Sequence, residues 1–174
     1  MTLYDDAVRV LIGWRPGPVR DRTLALLSAG PAALHPGHDA GHVTASAMVV
    51  SADRTRVLLC LHGTFHRWVQ LGGHVEPDDA SLAAAALREA TEESGIDGLR
   101  LHPDPIDVDI HPVRCAGRGS YHHDVRYAVL APPGAVERVS AESDALGWFR
   151  PGDLPAPLAD ATERLVAPAL AVLG

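Results

Sequence analysis

The stretch SLAAAALREATEESGI, residues 81–96, constrains this chain more than any other. Leu82, Ala85 and Ala86 recur at helical spacing and Gly95 supplies a stop, so the segment predicts one helix opening at about Asp79 or Ser81, either of which can cap it. Extending the apolar stripe forwards reaches Glu89 and Glu93, and Ile96 resumes it. Like charges at i,i+4 cost roughly 0.2–0.5 kcal/mol, and carboxylates in the last turns face the negative end of the helix dipole for about 0.3–1 kcal/mol more each. Arg88 can pair with Glu92 at i+4, which leaves Glu89 and Glu93 uncompensated. A solvated helix end with weak surface pairs is the bland reading. A hard divalent cation is the better one here, because Mg2+ takes carboxylates directly, keeps several waters and bridges substrate phosphates.

The rest of the chain alternates strands with helices. Residues 3–14 and about 21–29 read as two helices, and PAALHPGHDAG (31–41) as a loop separating an N-terminal helical extension, residues 1–40, from a domain over 41–174. The extension suits a lid, a homodimer arm or cladding. Residues 43–51 and 56–62 read as a β-hairpin, and Trp68 to Leu71 as a short strand entering Gly72-Gly73. Leu99–Val113 and Tyr121–Ala131 predict two strands joined by RCAGRGS, ALGWF (145–149) one more, and a helix from about Leu158, kinked at Pro168, closes the chain. Strands interleaved with one long central helix argue for an α/β class fold, a layered α/β/α sandwich with a mixed sheet.

Bulk properties narrow the function. With 174 residues and 47% in the hydrophobic group the chain can bury one ordinary core. A net charge of −7 without a basic cluster excludes nucleic acid as a bulk partner. No apolar run is long enough to span a membrane, and Asp5, Asp6 and Arg9 interrupt the first apolar stretch, so neither a signal peptide nor membrane attachment is expected. Cys60, inside VLLCLH, and Cys115 read as reduced thiols, which fits a soluble cytoplasmic protein.

The acidic helix and its approach resemble the Nudix box, G-x(5)-E-x(7)-R-E-U-x-E-E-x-G-U, where U is a bulky aliphatic residue. Gly73 opens it, Arg88-Glu89 and Glu92-Glu93 supply R-E and E-E, and Gly95-Ile96 closes it. Asp79 stands where the first glutamate belongs, the spacer to Arg88 is one residue too long, and Ala90 occupies a bulky position. In the family that first acid pairs with the box arginine, so these departures bear on whether Asp79 reaches Arg88. The preceding hairpin, RWVQLGG, and the later Trp148-Phe149 and Leu154-Pro155 extend the likeness over roughly 42–160. The resemblance implies a Nudix-type sandwich in which Glu89, Glu92, Glu93 and the Gly72 carbonyl hold Mg2+ or Mn2+. It implies hydrolysis of a diphosphate linkage in a nucleoside diphosphate joined to another group, or a related small molecule. Within it, Glu89 is the first candidate to assist the water, and Arg88 orients the helix. Asp124 and Glu142 are both candidates for a further acid. A rival is a binding protein of the same fold that senses a nucleotide without turning it over; Cys60 does not lie in the motif that isomerases of the superfamily need.

A second polar cluster follows. Asp107, Asp109 and His111, then His122, Asp124 and Arg126, alternate with mostly apolar residues, so paired strands would present one charged face. That face is either solvated or a substrate wall, with Arg126 on a phosphate and His122 or Asp124 on a base, sugar or second metal. His111, His122 and Asp124 also offer a looser Zn2+ set. His62, His66 and Arg67 lie near the glycine pair, where Arg67 can meet phosphates, and Trp68, Phe65, Tyr121 and Trp148 are candidates for stacking on a base.

Overall fold

A parallel pairing organises the sheet. In the computed structural model, which describes residues 1–115, 118–140 and 143–174, β1 (His42–Val50) runs alongside β7 (Arg118–Leu130) in unbroken parallel register from His42 opposite His122 to Val50 opposite Leu130. The other pairings between the described strands are antiparallel, so the sheet is mixed as expected. The predicted hairpin of β1 and β2 (Val57–His62) closes only at its turn, Val49 opposite Leu58 and Val50 opposite Val57. Beyond it the strands part. β2 takes β3 (Trp68–Val69) and β8 (Ser143–Phe149), while β4 (Leu71–His74) fills the vacated edge of β1 with Gly72 opposite Ser46 and His74 opposite Thr44.

The region predicted as one strand over 99–113 is two, β5 (Arg100–Leu101) and β6 (Asp107–Cys115), both paired to β7. Pro103 and Pro105 lie between them and donate no ladder hydrogen bond, which explains the interruption. β6 and β7 also run further into RCAGRGS than expected, and residues 116–117 of that loop lie outside the described ones.

Helices cover both faces. On one, α1 (Leu3–Gly13), α2 (Pro18–Leu27) and α3 (Leu82–Ser94) share a core in which Ala7, Leu11, Leu27, Leu82, Ala85 and Ala86 meet Val43, Ala45, Val125 and Tyr127. On the other, α4 (Val166–Leu173) packs Val166 and Ala169 against Met48, Val50, Ala128 and Leu130. The closing helix starts eight residues later than the sequence suggests, and Pro168 falls in its first turn, where a missing N–H costs nothing and no kink arises. None of the described helices is long and apolar enough to cross a membrane.

The N-terminal helices pack into the same core as α3 and also touch its end. Ser81 is the N-cap of α3, accepting the Ala84 N–H at 3.0 Å, and Asp6 of α1, 1% exposed, accepts the Leu82 N–H at 2.8 Å. A buried carboxylate at a helix N-terminus satisfies an orphan donor and complements the dipole. Arg9 pairs with Asp6 from the next turn of α1. At the far end Gly95 takes the left-handed conformation (φ 64°) and donates to Thr91, so the sequence-predicted stop holds. Replacing Asp6 with alanine should lower stability by about 1–2 kcal/mol, measured as a shift of the urea unfolding midpoint.

Candidate active site

Arg88 gathers the acidic residues. Its Nε and Nη2 reach the two Asp79 oxygens at 3.0 Å each, Nη1 reaches Glu89 at 3.0 Å and Glu92 at 3.1 Å, and Nη2 also donates to the His74 carbonyl at 3.0 Å. The bond to Asp79, with desolvation opposing it and the Glu89 charge assisting, holds the guanidinium above its ordinary range. Thus the shorter acid and the longer spacer do not break the pairing. Asp79 lies before the helix in a turn closed by Glu76 N–H on its Oδ2 at 2.7 Å, so loop conformation absorbs the extra residue.

Two expectations about the helix end change. Glu89 is compensated by Arg88, and Glu93, 8% exposed, accepts the Gly72 N–H at 2.8 Å. The helix therefore lays Glu89 and Glu93 against Gly72 and Gly73 of β4. A Cβ on Gly72 (φ 150°) would collide with Ser46, so that glycine is required by close approach, and one on Gly73 would sit 2.9 Å from Glu89 Oε2, which would have to give way. Glu92 stands at the exposed rim. Arg138, from the segment before β8, donates to the Gly95 carbonyl at 3.2 Å and puts a cation at the negative end of the dipole. Three carboxylates, Asp79, Glu89 and Glu92, surround one guanidinium, with Glu93 held beside them on the Gly72 N–H, and an oxygen-rich, net-negative set of this kind suits a hard divalent ion.

The second cluster is buried rather than solvated. β6 and β7 do pair with both charged faces aligned, Asp107 opposite Arg126 and Asp109 opposite Asp124. Arg126, 2% exposed, donates to Asp124 at 2.8 Å, Asp109 at 3.0 Å and Asp107 at 3.2 Å, and Arg164 joins Asp107 and Asp109 at 2.8 Å each. Ser46 donates to Asp124 at 2.7 Å and Thr44 at 3.2 Å. Burial pushes the Asp124 carboxyl up, but the Arg126 charge and hydrogen bond outweigh it and hold the group below its usual range. Of the two candidates for a further acid, Asp124 is thus fixed in this network, and Glu142 lies outside the described residues.

The remaining expectations scatter. Arg67 donates to the Leu158 carbonyl at 3.3 Å, His66 meets Asp144 at 3.0 Å, and Trp68 packs edge-on against Phe149. Trp148 donates to Glu137 at 2.8 Å; Phe65, stacked on His62, and Tyr121 remain exposed. Cys60 is buried, and burial, reinforced by the Glu93 charge, pushes its thiol up to about 12. The looser set of His111, His122 and Asp124 does not converge: His111 turns to Asp109 at 3.0 Å and Asp124 to Arg126. Instead His122 meets His42 and His74, with His42 ring centroids 4.7 Å and 5.0 Å away. Sequence reasoning missed His42 and His74 because their neighbours come from strand register. A concavity of about 580 Å3 between the α1–α2 turn, β6 and Arg164 includes none of the acidic-helix residues.

The model of the NUDIX domain matches residues 41–170. The chain belongs to the NUDIX family. It is thereby an enzyme of the Nudix hydrolase class, and its fold is theirs. No curated protein matches it. Among solved structures, a NUDIX-family hydrolase from Clostridium perfringens is 22% identical with a TM-score of 0.63, covering 76% of this chain and 98% of that one. The NUDIX domain of Shewanella oneidensis NrtR, complexed with ADP ribose, is 23% identical with a TM-score of 0.58, covering 86% and 98%. A MutT NUDIX hydrolase from Burkholderia pseudomallei is 29% identical with a TM-score of 0.53, covering 76% and 97%.

Within this Nudix hydrolase the Arg126 network supports the strands beside the glycine turn, since Ser46, bound to Asp124, lies opposite Gly72. Arg126→Ala should cost about 3–5 kcal/mol of stability by leaving buried carboxylates unpaired, whereas the isosteric loss of an exposed ligand contact would leave the urea midpoint in place.

Proposed function

We propose that this Nudix hydrolase cleaves the diphosphate linkage of a nucleoside diphosphate joined to another group, or of a related small molecule, with Mg2+ or Mn2+ held by Glu89, Glu92, Glu93 and the Gly72 carbonyl. The observation that carries this reading is the convergence of Glu89 and Glu93 on Gly72 and Gly73 of β4. A bound divalent cation neutralises phosphate oxygens and lowers the pKa of a water. The protein supplies the rest. Glu93 ties the helix to the turn through the Gly72 N–H, so carboxylates and backbone form one rigid wall. Arg88 is a positioning residue whose side-chain donors go to Asp79, Glu89, Glu92 and the His74 carbonyl. Glu89 has one oxygen on Arg88 and its carboxylate against Gly73, a placement that suits accepting a proton from the attacking water.

For the substrate itself, the half-buried His122 and the edge residues Arg67 and Trp68 remain the contacts proposed for phosphate, sugar or base. The burial of Arg126 and Asp124 favours a supporting role for both over direct contact. The ADP ribose in the NrtR structure makes nucleotide diphosphates the first substrates to try. The altered Asp79 position and the extra spacer residue are the sequence features that would favour a sensor without turnover, and the intact Arg88–Asp79 pair speaks against it. A cytoplasmic location and a homodimer through the helical extension belong to the same proposal.

A panel of nucleotide sugars, ADP-ribose, dinucleoside polyphosphates and (d)NTPs, assayed with Mg2+ and Mn2+, should show turnover of at least one. Glu93→Gln, which keeps an acceptor for Gly72, should abolish that turnover while leaving the protein folded, at a stability cost of about 1 kcal/mol for the weakened charged hydrogen bond. Undiminished turnover by this variant would refute the ligand assignment.

A further inference from the structure

Three strands bring histidines together at one end of the sheet. β1 and β7 are parallel with His42 opposite His122, and β4 enters antiparallel on the other side of β1 with His74 opposite Thr44, two residues along. All three side chains stand on the sheet face that also carries Thr44 and Asp124. One ligand nitrogen from each lies within 4.8 Å of the others. Ring centroids are 4.7 Å apart for His42 and His122, 5.0 Å for His42 and His74, and 5.3 Å for His74 and His122.

His42 needs an explanation. It is fully buried, yet neither its Nδ1 nor its Nε2 has a hydrogen-bond partner. Buried imidazoles ordinarily satisfy at least one nitrogen, and the position is the first residue of a strand whose alternate members reach the core, so an apolar side chain would fit there without this defect. The rings beside it present nitrogens rather than carboxylates. What can satisfy a buried imidazole from between two others is a cation that accepts nitrogen ligands.

We infer that His42, His74 and His122 form a binding site for a borderline divalent transition metal, Zn2+ in the first place, separate from the glutamates of α3. Imidazole suits zinc and disfavours magnesium, which takes oxygen ligands, so the two sites select different ions from the same solution. Ligands each about 2.0–2.1 Å from a tetrahedral zinc stand roughly 3.3–3.4 Å apart, so the imidazoles must draw together from their present spacing, the farthest pair by about 1.4 Å at most, through side-chain rotation. Three protein ligands leave the fourth tetrahedral position for water or a substrate oxygen. His111, whose ring centroid is 5.5 Å from that of His122, lies next in the row with Asp109 behind it.

The test uses the full chain, any affinity tag removed and metals stripped, titrated calorimetrically with Zn2+ alone in a large excess of Mg2+. One equivalent should bind, unchanged in Glu93→Gln, and bind at least about tenfold more weakly in His74→Ala and His42→Leu. His74 is exposed, so His74→Ala decides the matter even if His42→Leu fails to fold. X-ray absorption of the zinc-loaded protein should show imidazole nitrogens in the first shell. Absence of a Zn2+ equivalent in the wild type, or zinc affinity that falls in Glu93→Gln and survives in His74→Ala, overturns the site.

Discussion

The contact between the last turns of α3 and the glycine pair of β4, Gly72-Gly73, governs this molecule. A helix that buries Leu82, Ala85, Ala86 and Ala90 must carry its next stripe residues, Glu89 and Glu93, to the border of the same core. Such an arrangement is tolerable only if each carboxylate is met by something other than water. Arg88 meets one and the Gly72 N–H the other, with the Glu89 carboxylate lying over Gly73, where there is no side chain to meet it. The strand order follows from the same need: β4 must leave β2 and lie against β1 to bring Gly72 opposite Ser46.

Around this contact the structure separates rigid support from chemistry. On one face of β1 and β7 the residues change along the strands from apolar Met48, Val50, Ala128 and Leu130, under α4, to the buried network of Ser46, Thr44, Asp124 and Arg126, and then to His42 and His122. Among the described residues α4 lies over the apolar part, while Arg164, just before it, reaches the polar part. The polar part satisfies itself internally, since Arg126 and Arg164 together engage Asp107, Asp109 and Asp124. The N-terminal helices support the same contact from the other side through Asp6, which anchors the first turn of α3.

Much of this was legible beforehand because it is local. The helix over 82–94, its Ser81 cap, its Gly95 stop and the family-like spacing of its acids are short-range patterns that periodicity reports directly. The division of the 99–113 segment and the late start of the last helix were not legible, because a proline's effect depends on which backbone groups its neighbours need to pair and because Ala161 takes a left-handed conformation (φ 64°) that a helix does not continue through. The pairing of Arg88 with a shortened acid in a lengthened spacer was likewise open, since a flexible turn, not helix geometry, sets that distance.

What the sequence determined by itself was the chemistry of one helix: three glutamates and an arginine at fixed offsets on a partly apolar stripe, with a fold class to hold it. Tertiary structure alone decided which charges are buried and which groups become neighbours across strands. Arg126 became the centre of a carboxylate network, and His42, His74 and His122, far apart in the chain, came to face one another. The physical reason is register. A strand fixes which face its own side chains take, but the partners standing opposite them are chosen by hydrogen-bonded pairing over long separations, to which no local periodicity refers.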